Sequence, residues 1–138
     1  MGDRQIITGS KDRSVKLYDY QKHSCLKTFF TTSCVLSLRN SYKTIYCGNL
    51  NGNLCVFNTN SSWSTFNENI FSDGRESLNT GSLVNIQINS REDTLLLSSV
   101  DNDLKIFDLR KMEVRETINT EVALSQSCNK AIIGFDSV

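Results

Sequence analysis

The chain is 138 residues long, and its fifteen Lys and Arg balance fifteen Asp and Glu to a formal net charge of zero. Charge neutrality without a basic stripe speaks against electrostatic capture of nucleic acid. No apolar run approaches the roughly 18–20 residues that cross a membrane as a helix, and the length is enough for one domain with a real core.

Strand signals begin near the N-terminus. Short stretches of Val, Ile, Leu, Thr and aromatic residues, bounded by Asn, Ser, Gly and Asp, fall at 5–8, 15–19 and 25–30. Four more follow at 34–39, 44–48, 54–58 and 63–66. A third group occupies 83–89, 94–98, 104–108 and 113–118, and two last segments sit at 122–125 and 131–134.

Three stretches repeat one another without a gap: 9–19, 48–58 and 98–108. In each, a strand end leads into a polar turn centred on Asp12, Asn51 or Asp101. A new strand then closes on an aromatic followed by Asp or Asn: Tyr18-Asp19, Phe57-Asn58 and Phe107-Asp108. The turn centres lie 39 and 50 positions apart (12 to 51, 51 to 101). A recurring motif means stacked units, and a unit of about 40–45 residues with four short strands is a β-propeller blade. An ordinary β-sandwich also has short, evenly spaced strands, but nothing in a sandwich requires this motif at this spacing.

The motif resembles that of the WD-repeat family over nearly the whole chain, with Trp-Asp replaced by the three pairs above. The resemblance implies an all-β fold of four-stranded antiparallel propeller blades, with strands lettered A to D outward and the aromatic as a plate between neighbouring blades. It divides the chain into a B-C-D group at about 4–30, a second blade at about 33–66, a long connection at 67–82, a third blade at about 83–118 and the start of a fourth at about 122–138. That is about three and a quarter blades, so one chain forms an incomplete ring, short of the usual 4–8. Either the sequence is a piece of a longer propeller, or two copies pair into a homodimer of about six blades. The family's buried network of His, Ser or Thr, Asp and Trp is incomplete. Thr8 keeps the hydroxyl position, Cys47 and Leu97 replace it, and Asp12, Asn51 and Asp101 keep the turn, where such side chains cap local amides.

The cysteines, Cys25, Cys34, Cys47, Cys55 and Cys128, are odd in number and lack Cys-x-x-Cys spacing. They read as buried free thiols in a reducing compartment, which places the expected location in the cytoplasm or nucleus. With His23 as the single histidine, no metal site is expected. Thr8-Gly9-Ser10-Lys11 lacks the frame of a phosphate loop, and Asp73-Gly74-Arg75-Glu76 lacks the further ligands of a calcium loop. No cofactor and no catalysis are expected.

The resulting expectation is a non-catalytic scaffold for protein or peptide partners. A substrate receptor of a cullin-type ubiquitin ligase and a structural half-ring are the alternatives. The rim of B–C turns would carry Lys11, Arg13, Leu50, Asn51, Val100 and Asn102. Of these, Lys11 and Arg13 suit an acidic or phosphorylated peptide through charge-assisted hydrogen bonds. Ile70 and Phe71 lie in the long connection, either as apolar anchors for a partner or tucked back onto their own blade. Phe107-Asp108-Leu109-Arg110 resembles the Trp-Asp-x-Arg box of ligase receptors. That gives Arg110 a docking role, with an ion pair to a nearby carboxylate such as Asp108 as the alternative.

Overall fold

The computed structural model describes residues 4–61, 63–71, 81–100 and 103–119. They form eleven strands and no helix. The first group is β1 (Gln5–Gly9), β2 (Ser14–Asp19) and β3 (Ser24–Phe30). The second is β4 (Val35–Ser41), β5 (Thr44–Asn49), β6 (Asn53–Asn58) and β7 (Ser64–Asn69). The third is β8 (Leu83–Ile88), β9 (Thr94–Ser99), β10 (Asp103–Asp108) and β11 (Glu113–Asn119). Each group is one antiparallel sheet in chain order, three strands in the first and four in each of the others. The fold is thus all-β, built of propeller-like sheets as the repeat predicts. The segments expected at 122–125 and 131–134, and Cys128, lie outside the described residues.

One boundary differs from the sequence reading. Residues 67–69 belong to β7, not to the connection, because Asn67 and Asn69 pair with Cys55 and Asn53 of β6. The strand hides behind its polarity: as an outer strand it turns only Phe66 partly inward, and the rest of Ser64–Asn69 is exposed.

The repeat extends to fine detail. The outer strand pairing slips immediately before the aromatic in all three sheets, at Leu17/Tyr18, Val56/Phe57 and Ile106/Phe107. An extra residue at this rung bends and twists the strand locally. The acidic or amide partner of each aromatic has its own task. Asp19 Oδ1 accepts from the Gln21 and Lys22 amides at 3.0 and 3.1 Å. Asn58 Oδ1 accepts from Asn60 N at 2.9 Å, and Asp108 Oδ1 from Arg110 N at 2.8 Å and Lys111 N at 3.2 Å. The four-residue turns that follow then reach positive φ at His23 and Met112, both 53°.

Two apolar layers fill the spaces between sheets. Val15 and Phe29 of the first sheet meet Val35, Ile45, Cys47, Cys55 and Phe57 of the second. Phe57 and Phe29 are 4.9 Å apart at their ring centroids. In the next layer Phe107 is fully buried and meets Phe66 edge-on at 5.5 Å. Phe57 and Phe107 are therefore plates between sheets. Tyr18, at the same repeat position, is only half-buried and belongs to neither layer, since no described sheet covers its face.

Polar bonds fix the relative placement of the sheets. Val35 N donates to Ser10 O at 3.1 Å, Ser37 Oγ to Leu83 O at 3.0 Å and Arg39 Nε to Ile86 O at 3.1 Å. The approach is close. A Cβ on Gly9 would lie 2.5 Å from Val35 Cγ1, and one on Gly48 would run into Ser37 Oγ, Leu83 Cδ2 and the Leu83 carbonyl. Both glycines occupy the same column of the repeat, whose third member is Ser98.

Candidate interaction surface

The upper edge of the stack carries the β1–β2 and β5–β6 turns, the β3–β4 connection, and the described ends of the β9–β10 turn and of the β7–β8 connection. Its backbone is tied together across sheets. Thr31 N and Oγ1 donate to Arg13 O at 2.8 and 3.2 Å. Leu50 N donates to Cys34 O at 2.9 Å, while Leu50 O accepts from Ser82 Oγ at 2.6 Å. Val100 N donates to Ser82 O at 3.0 Å and Ile70 N to Gly52 O at 3.0 Å. Lys11, Arg13, Leu50, Asn51, Val100 and Ile70 thus share one edge, of which Val100 and Ile70 are half-buried and the others exposed. Asn102 lies outside the described residues.

The turn before β2 is built to present cations. Asp12 Oδ1 accepts from Ser14 Oγ at 2.5 Å and from Ser14 N at 3.0 Å. The Ser14 hydroxyl, chiefly, holds the Asp12 carboxyl below its ordinary range. Committed to the turn, that carboxylate leaves Lys11 and Arg13 on either side without an ion pair among the described residues. Arg13 sits at φ 70°, the place filled in the second repeat by Gly52 at φ 86°. Asn51 plays the Asp12 part, accepting from Asn53 N at 3.2 Å. Phe30 opposes Ser14 across the ladder and is 79% exposed beside these cations. Sequence reasoning missed it, because a final strand residue carries no sign of the face it takes.

Two candidates stand elsewhere than as partner contacts on this edge. Phe71 is buried in the second apolar layer, with Lys105 Nζ 5.0 Å from its ring centroid and bonded to Ile70 O at 2.6 Å. It is therefore a core residue, and not an exposed anchor. Arg110 lies on the opposite edge with its side chain 81% exposed. Its Nη2 is 3.5 Å from Asp93 Oδ2, so the carboxylate it pairs with is Asp93, while Asp108 caps backbone amides.

The interior offers little for chemistry. Thr8, the hydroxyl of the family-like network, is exposed. Cys47 Sγ donates to Asn49 Oδ1 at 3.2 Å, Asn49 Nδ2 to Cys55 Sγ at 3.4 Å and Cys55 Sγ to Asn67 Oδ1 at 3.3 Å. Burial pushes the Cys55 thiol up to about 11 and Cys47 further in the same direction. Such thiols are inert at neutral pH. Cys25 is exposed and Cys34 half-buried, so burial does not extend to all the cysteines. A cleft of about 150 Å³ lined by Gly9, Val35, Leu36, Ser37 and Leu38 is below the roughly 300–1,000 Å³ of small-molecule sites. No cluster of three metal-ligating side chains occurs among the described residues.

No protein-family model matches the sequence. The chain is similar to Autophagy-related protein 16 of Arabidopsis thaliana, 25% identical over 117 residues that cover 83% of this chain and 21% of the relative. It is also similar to Protein tipD of Dictyostelium discoideum, 29% identical over 120 residues that cover 85% of this chain and 19% of that relative. The chain thus spans about a fifth of the length of the curated relatives it matches.

Proposed function

We propose that this chain is a WD-repeat-type propeller segment that acts as a non-catalytic scaffold for protein partners, engaged through the upper edge. The observation that carries the reading is the turn at 10–13. Its only carboxylate is committed to Ser14, its backbone is tied to Thr31, and Lys11 and Arg13 project beside the exposed Phe30. Fixed cations next to an apolar ring suit a short acidic or phosphorylated segment. Similarity to an autophagy-related protein makes autophagy the process in which to look for that partner.

The test is affinity capture by the immobilised chain and by a Lys11→Glu, Arg13→Glu double variant. The wild type retains an acidic partner that the double variant loses, with the difference largest at low salt, where charges separated by about a Debye length are least screened. An unchanged set of captured proteins would remove the upper edge from consideration. The exposure of Arg110 keeps ligase docking as a second reading. Loss of a cullin-ligase subunit on Arg110→Ala, with Lys11 and Arg13 intact, would favour that reading.

A further inference from the structure

The lower edge of the first two sheets carries a feature that the scaffold reading does not use. Trp63, the one tryptophan of the chain, is 80% exposed, Tyr42 73% and Tyr20 45%. All three belong to turns of this edge. Tyr42 lies in the β4–β5 turn at φ 53°, with Lys43 Nζ 5.5 Å from its ring centroid. Trp63 closes the β6–β7 turn, where its amide donates to Ser61 Oγ at 3.2 Å. The two turns are joined by Thr59 N donating to Lys43 O at 2.8 Å. Tyr20 begins the β2–β3 turn, and its amide donates to Arg4 O at 2.9 Å. Lys27 Nζ donates to Thr59 O at 2.9 Å, which links the first sheet to this corner of the second.

Charge on the part of this edge that belongs to the first two sheets is one-sided, while the exposed Glu92 lies in the β8–β9 turn of the third and acts on Tyr46 of the second. Arg4, Lys22 and Lys43 are exposed. Among its described residues in these two sheets the sole carboxylate is Asp19, buried and capping the Gln21 and Lys22 amides. Large exposed rings are costly to leave in water, and aromatic and Arg side chains dominate the binding energy of protein interfaces. Three cations are few for a nucleic-acid backbone, whose capture by proteins typically uses about six to ten phosphate contacts. They match a short acidic polypeptide that also offers apolar side chains to the rings.

We infer that Arg4, Tyr20, Lys22, Tyr42, Lys43 and Trp63 form a second docking surface, on the edge opposite Lys11 and Arg13, for an acidic polypeptide segment with apolar anchors. The two edges would let one chain hold two partners at once.

Trp63 is its own reporter. The experiment titrates the chain with a blocked peptide of glutamates flanking a Phe-Leu pair, and follows tryptophan emission. The expected result is a saturable blue shift that weakens with added salt. Lys43→Glu and Tyr42→Ala should each weaken binding about tenfold, with unchanged circular dichroism. Lys11→Glu with Arg13→Glu should leave the blue shift intact, which separates this surface from the upper-edge reading. The inference is overturned if the peptide gives no saturable shift, if Lys43→Glu binds as well as wild type, or if single-stranded oligouridylate shifts the emission and the acidic peptide does not.

Discussion

At the residue scale, position in the repeat does not by itself set a side chain's worth; its neighbour does. Phe107 and Tyr18 are equivalent in sequence, yet the first is fully buried against Phe66 and the second half-exposed. Phe107→Ala should cost about 3–5 kcal/mol, and Tyr18→Ala clearly less, a contrast that urea unfolding of the two variants measures. Backbone strain gives an opposite case. Arg13 holds a left-handed conformation that costs a non-glycine residue about 1–2 kcal/mol, whereas the second repeat places Gly52 there. Arg13→Gly should therefore stabilise the chain, by about 0.5–1 kcal/mol once the greater freedom of the unfolded glycine is subtracted, and raise the unfolding midpoint. The buried thiols predict an alkaline dependence. Burial raises Cys55 from 9.0 to about 11 and Cys47 higher. Above about pH 9 the unfolded thiols release protons that the folded ones retain. Their contribution to stability is thus full below that pH and declines as pH rises towards 11. Denaturant melts across that window should show the decline, and Cys55→Ala should flatten it.

At the scale of elements, the strands were legible because apolar residues and turn residues alternate where short strands need them. All eleven described strands lie where the sequence places them, with the clearest miss at the polar end of β7. Turn capping was legible at Asp12 and Asn51, which stand at the centre of polar turns. The caps by Asp19, Asn58 and Asp108 were hidden, because these residues close strands and nothing in the linear order shows the next turn folding its amides back onto them. The site was less legible. Phe71 in a connection gives no sign of its direction until the Gly52 carbonyl and Lys105 fix it. Trp63, an aromatic next to a strand, carries a strand signal in the sequence that conceals its exposure at a turn. One further cap is open to test. Asn89 is 1% exposed; its Oδ1 accepts from Asp93 N and Thr94 N at 3.1 and 3.0 Å, and its Nδ2 bonds Asp93 Oδ1 at 2.6 Å. Asn89→Ala takes the side-chain acceptor from the Asp93 and Thr94 amides, while Asp93 Oδ1 keeps the Thr94 hydroxyl at 3.0 Å, and should cost about 1–3 kcal/mol, read as a lower denaturant midpoint.

At the scale of the whole molecule, the sheets form a stack in which protection should follow position. The β5 and β9 strands are buried along almost their entire length, and β1 is half-buried at most. Amide exchange should be slowest in β5 and β9 and fastest in β1, since local opening is easiest where few apolar contacts must break. Equal rates in all three would mean that the sheets do not support one another. The stacking itself is governed by the column of Gly9, Gly48 and Ser98. Gly9 admits the Val35 and Leu38 side chains of the neighbouring sheet and Gly48 the Leu83 side chain and carbonyl, while Ser98 bears a buried hydroxyl with no hydrogen-bond partner among the described residues. Gly9 and Gly48 act as shims whose thickness sets the approach of the next sheet. Gly48→Ala would widen one step and leave the step at Gly9 as it is. Spacing between sheets is therefore not a uniform property of the repeat: it is specified joint by joint, and a single methyl group at Gly48 is enough to press on the Leu83 carbonyl across the joint.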